Sequence, residues 1–332
     1  MLTVGFAQYI LLLFLLGGLV GGSLVSLIVP QIRGRIEQLE PGVRAGRILF
    51  WSGLPVAIGG LVVGFVLLPS LLDYAGWMAD HCLAHASGAG HHGHLCPVHT
   101  THMHAAAAGW WLLGAIGALI GVRVGREVVG WVAARRRLGE IEAASRRSEE
   151  GPWRVVDSER PFAFTTGLVD PVVYLSSGLQ ERLDEASCRV VLAHELHHAR
   201  RRHGAVQLVV RLVTAFVSPG VRSWLLSELA LAFEQSSDGH AAEAVDGPVS
   251  VAETILAVER FAHETRPAHL KDHRAPGFGG GDLERRVRSL VDEPTWRPAG
   301  AGLWIASIVV FIGTAAHYET LHHMAETLFE LL

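Results

Sequence analysis

Residues 4–29 read VGFAQYILLLFLLGGLVGGSLVSLIV, a run without one charged side chain that ends at Pro30. At 1.5 Å per residue a helix of this length covers ~39 Å, more than the ~30 Å of bilayer hydrocarbon. The run lacks a basic start and a small-residue cleavage site, so a retained span is expected rather than a removable signal peptide. Further uncharged stretches follow at 48–72, 105–122 and 299–316. The last is close to the minimum length for a crossing helix. Composition agrees, with 50% hydrophobic and only 18% charged residues. That balance excludes a disordered or collagen-like chain. A formal net charge of -4 argues against a nucleic-acid binder.

Arginine sets the expected orientation. Arg33, Arg35, Arg44 and Arg47 fill the first connection, and Arg123, Arg126, Arg135, Arg136 and Arg137 follow the third apolar run. Neither Lys nor Arg occurs between Arg47 and Arg123 or after Arg297. Both termini and the loop 73–104 are therefore expected outside, and 123–298 in the cytoplasm. The expected fold class is mainly α and integral to the membrane, with four transmembrane helices and a cytoplasmic α+β domain between the third and fourth. Residues 1–122 would hold three spans, 123–298 the cytoplasmic domain, and 299–332 the last span with a short external tail. The run 205–217 is short and contains Arg211, which suits a core or membrane-skimming helix better than a span. Residues 126–147 read as a helix running along or out of the inner face. Pro/Gly-rich breaks are expected at 275–282 and 294–302.

Within the cytoplasmic segment, 186–203 reads ASCRVVLAHELHHARRRH, and its apolar spacing before Gly204 predicts a helix of about five turns. It carries His194-Glu195-Leu196-His197-His198. On a helix, positions i and i+4 share a face, so His194 and His198 can bind one metal ion together. Glu195 sits beside them, placed to take a proton from the attacking water. A hydrolytic zinc site needs a third protein ligand and an open position. Residues 228–244, ELALAFEQSSDGHAAEA, offer Glu234 for that role. Asp238, one turn on, can accept the outer N–H of a ligand histidine. Glu228 and Glu243 are rival carboxylates expected to be solvated, and His197 is a rival ligand. His203 does not fit the extended pattern with a third histidine six residues after His198. Cys188, on the same helix, reads as a packed small residue.

These stretches resemble the BlaR/MecR-type membrane metallopeptidases, relatives of the Ste24-type proteases. The likeness runs from about Pro161 to Val291. It takes in PFAFTTGLVDPVVYLSSGL (161–179), VVLAHELHHARRRH (190–203), SPGVRSW (218–224), FEQSSD (233–238) and LERRVRSLV (283–291). The resemblance implies a gluzincin-type zinc endopeptidase with one catalytic Zn(2+), and a cytoplasmic protein substrate such as a winged-helix repressor. It also implies a hairpin at 162–176 whose edge pairs with an extended peptide. About sixteen residues follow the fourth apolar run, so the extracellular penicillin-binding sensor of the best-known members is not expected here.

The loop before the third run is rich in potential ligands: His81, Cys82, His85, His91, His92, His94, Cys96, His99, His102, Met103 and His104. His317, His322 and His323 lie in the C-terminal tail. Imidazole, thiolate and thioether suit zinc, copper or nickel, so an external transition-metal site is one reading. A Cys82–Cys96 disulfide, a flexible polar loop and a pH-responsive cluster are the others. Two functions compete with a regulatory protease: a housekeeping protease acting on damaged membrane proteins, and a non-proteolytic metal-binding membrane protein. The bilayer is the implied partner in every case.

Overall fold

The computed structural model describes residues 4–77, 107–245, 247–264 and 280–292. The histidine-rich loop, the fourth apolar run and the C-terminal tail lie outside them. Among the described residues, three helices are long and apolar enough to cross a membrane: α1 (Val4–Glu37), α2 (Pro41–Tyr74) and α3 (Ala107–Ala144). α1 and α2 form a hairpin in which small residues allow close approach. A Cβ added at Gly17 would lie 2.9 Å from the Gly59 Cα.

α3 does not stop where its apolar run ends. It continues as one helix of 38 residues through the arginines to Ala144, and Ser145–Arg147 form β1. The helix expected over 126–147, running along or out of the inner face, is thus the continuation of the third apolar helix, and it ends at Ala144. No proline intervenes, and Glu127 holds this part down by pairing with Arg222 at 2.6 Å and Arg211 at 3.6 Å.

A four-stranded sheet follows, with β2 (Trp153–Val156), β3 (Ala163–Thr166) and β4 (Val172–Ser176), in the order β1-β2-β4-β3. β3 and β4 are the antiparallel hairpin expected at 162–176, turned at Gly167, whose φ of 121° suits only glycine. β3 is one edge of the sheet, and it packs on the helix that carries the histidine pair.

Short α4 (Ser177–Arg182) leads to α5 (Glu185–Arg201), capped at its start by the Asp184 carboxylate accepting from the Ser187 N–H at 2.8 Å. α5 ends earlier than expected, because Arg202, with φ 51° and ψ 40°, adopts the left-handed conformation. Gly204, expected to stop the helix, lies inside α6 (His203–Val213). A 3₁₀ turn, Thr214–Phe216, completes the apolar 205–217 segment, which is shorter than the three membrane-length helices. Its tip sits against α1, where Gly18 and Gly22 leave room for Phe216, and Arg123 Nη1 donates to the Ala215 and Val217 carbonyls at 2.7 and 3.0 Å.

α7 (Pro219–Ala244) starts with proline in its first turn and runs back past the α1–α2 connection. α8 (Pro248–Glu264) and α9 (Gly280–Val291) pack beside it. α9 begins at Gly280, within the stretch 275–282 read as a break. The largest core joins Val25, Val29 and Ile48 of α1 and α2 to Leu225, Leu229 and Phe233 of α7. Apolar burial therefore ties α7, which carries Glu234, directly to the long apolar helices.

Candidate active site

α5 and α7 cross so that His194, His198 and Glu234 face one another. The two Nε2 atoms are 3.1 Å apart, His194 Nε2 lies 3.4 Å from Glu234 Oε2, and His198 Nε2 lies 3.5 Å from Glu234 Oε1. All three ligand atoms fall within 4.8 Å of one another. A tetrahedral zinc ion with bonds near ~2.05 Å spaces its ligand atoms by about 3.3 Å. The three side chains therefore fit such an ion and leave a fourth position.

Residues 133–262 match the family model of peptidase family M48. The match supports a metallopeptidase, and M48 peptidases depend on zinc. No curated protein and no solved structure matches the chain. The M48-like stretch begins within α3 and ends within α8. It contains β1 to β4, α5 and α7, but not α9.

The two histidines of the M48-like helix pair have different surroundings. His194 Nδ1 lies 2.9 Å from the fully buried Asp238 Oδ1. Burial works against a charge on His194, but hydrogen bonds to Asp238 and Glu234 outweigh it, and its pKa is raised to about 10. His198 has no carboxylate on its Nδ1, and burial lowers it to about 4. Burial also opposes ionisation of Glu234, yet His194 and Arg286 hold it down at about 2. A metal ion entering the site must take the place of the His194 proton.

Glu195 is drawn upward chiefly by burial, against the lowering effects of His194 and Thr165. The Thr165 hydroxyl of the edge strand is 2.7 Å from Glu195 Oε2 and 2.9 Å from the Glu195 carbonyl oxygen, and its one proton can serve either. A proton acceptor with raised affinity, fixed beside three residues that could hold a metal ion, is what general base chemistry requires.

His197 points away from the cluster. It is buried, with its ring 4.5 Å from His240 and its Nε2 3.4 Å from Ser236 Oγ. Glu243 is exposed as expected. Glu228 is not: it is 3% exposed, held by both Arg285 nitrogens at 2.7 and 2.8 Å and by Arg44 Nε at 3.3 Å. The expected solvated carboxylate is a buried structural anion, because two arginines converge on it. Cys188 is half-buried, with Sγ 4.0 Å from the Leu183 carbonyl oxygen, and burial raises its thiol pKa.

Three neighbours of the site had no role assigned from sequence. Arg286 of α9 grips Asp238 through Nε and Nη2, both at 2.8 Å, and reaches Glu234 Oε2 with Nη1 at 3.0 Å. Thr165 comes from the hairpin, and His203 from the start of α6. Arg286 lies in the quoted LERRVRSLV stretch, but no spacing rule links it to a motif about fifty residues away. Beside the ligands opens a cavity of about 270 Å³ with an aliphatic wall of Val190, Val191, Val251, Ile255, Val258 and Leu283.

Proposed function

We propose that the chain is an integral-membrane zinc endopeptidase that cleaves a cytoplasmic protein. His194, His198 and Glu234 would hold the ion, and Glu195 would act as general base. The observation that carries this is the tetrahedral spacing of three ligand atoms on α5 and α7, inside the stretch matching peptidase family M48. Zinc, when bound, lowers the pKa of a coordinated water toward ~7 and polarises the scissile carbonyl. Glu195 receives the proton of the attacking water and passes it to the leaving amine. Asp238 orients His194, and Thr165 holds the Glu195 carboxylate. The outer edge of β3 can take an extended peptide as an added strand, while the aliphatic wall accepts an apolar side chain next to the scissile bond.

Cytoplasmic placement is supported by the arginines. Arg44, at the start of α2, touches Glu228 and Gln235 of α7, so the metal cluster lies on the same side as the arginine-rich α1–α2 turn. The family resemblance favours a regulatory, repressor-type substrate over housekeeping turnover. The histidine-rich loop on the opposite side would be an external metal sensor. Glu195→Gln in the purified full chain tests the central reading. Zinc should remain stoichiometric while kcat on a casein-type substrate falls ~10²–10⁴-fold. Undiminished proteolysis, or loss of the metal, would refute the role given to Glu195.

A further inference from the structure

We infer that His203 is a positioning residue that fixes the tautomer and orientation of His198. The inference rests on the reading of His194, His198 and Glu234 as metal ligands. Its basis is the Nδ1-to-Nδ1 contact of 2.8 Å between His203 and His198. Contacts to His194 and Glu234 put the His198 Nε2 in the ligand cluster. A neutral imidazole carries one N–H, so a ring that presents a lone pair at Nε2 must carry its proton on Nδ1. That proton needs an acceptor. For His194 the acceptor is Asp238, whereas among the described residues the partner of the His198 Nδ1 is another imidazole nitrogen.

Two neutral rings facing each other through Nδ1 share one proton at that contact. With the proton on His198, its Nε2 is free to bind metal, and His203 carries its own proton on Nε2. With the proton on His203, the His198 Nε2 bears hydrogen and cannot be a ligand. The fold holds His203 in place for the first arrangement. Its ring is 6% exposed and stacked flat on Phe233, with centroids 3.9 Å apart and planes 5° from parallel. Left-handed Arg202 turns the chain so that α6 brings the ring back over His198. An imidazole is a weaker acceptor than a carboxylate, so the two ligand histidines are tuned differently.

Two variants separate the acceptor from the ring. His203→Phe keeps a ring against Phe233 and loses the acceptor. His203→Asn loses the ring but places an oxygen the same number of bonds from Cα as Nδ1. Zinc affinity is measured on the purified full chain in detergent, by competition with a chromogenic chelator. Melting of the metal-free proteins reports the fold separately. The Phe variant should bind zinc ~10–100-fold more weakly than wild type, and the Asn variant should stay close to wild type. Wild-type affinity in the Phe variant overturns the inference. So does equal weakening in both, which would make the ring a packing element only. A wild-type chain that binds no zinc overturns the underlying metal reading instead.

Discussion

Arg286 and Asp238 form a two-point ion pair, with Nε donating to Oδ2 and Nη2 to Oδ1, both at 2.8 Å. The third guanidinium nitrogen, Nη1, lies 3.0 Å from Glu234 Oε2. One planar fork thus spans the carboxylate that orients His194 and the carboxylate proposed as a ligand. Burial opposes the charge on Arg286, but its acidic neighbours raise its pKa. Lysine offers a point charge and cannot reproduce the fork.

Arg286→Met should therefore leave the buried Asp238 and the partly buried Glu234 without their cation. Breaking a buried pair in this way costs about 3–5 kcal/mol. The loss should be greatest in metal-free protein and smaller with saturating zinc, which supplies positive charge to the same oxygens. Melting with and without zinc checks this, with Arg286→Lys expected to recover only part of the loss. Equal destabilisation in both states would place Arg286 outside the electrostatics of the site.

The pH dependence follows from His194, whose pKa rises from 6.5 to about 10 in the metal-free fold. Below 6.5 both folded and unfolded chains bind the proton, and its contribution to stability is complete. Between 6.5 and about 10 only the folded chain keeps it, so stability falls as pH rises through that window. Zinc affinity should rise over the same range, with release of about one proton per ion bound. Melting in EDTA across this range should show the fall in wild type and not in His194→Gln. A flat wild-type profile would contradict the assignment.

Glu228→Ala should be strongly destabilising yet leave zinc stoichiometry intact. The carboxylate is 3% exposed and pairs with Arg44, itself 1% exposed, so removal strands a buried guanidinium at a cost of about 3–5 kcal/mol. Glu234→Ala should do the reverse, losing zinc with a milder effect on the metal-free fold. Metal analysis beside thermal melting separates the two. Full zinc content in Glu234→Ala would remove that residue from the ligand set.

Reporter fusions test the membrane orientation. Fusions after about residue 40 or residue 150 should report the cytoplasm, and one after about residue 90 the exterior, because of the arginine distribution. An exterior signal at 150 would reverse the orientation and with it the cytoplasmic substrate.

What sequence determines here is local. An uncharged run of sufficient length forms a helix in lipid because its backbone must satisfy itself, so α1, α2 and the apolar part of α3 were legible from composition. His194 and His198 share a face because four residues complete roughly one helical turn. Glu195 beside them and the Glu234–Asp238 pair were readable for the same reason, and the hairpin at 162–176 followed from the family resemblance. Tertiary structure decided the rest. Glu228 and Glu234 lie ~120° apart around α7, and only the crossing angle of α5 and α7 selects which one faces the histidines. His203 would stand ~140° away from His198 on a continuous helix, and the left-handed turn at Arg202 brings it back. Arg286 reaches the site because α9 packs on α7, with Arg285 anchored on Glu228 one position earlier. Side-chain direction along one helix follows from periodicity, but contact between helices depends on packing that no single segment encodes.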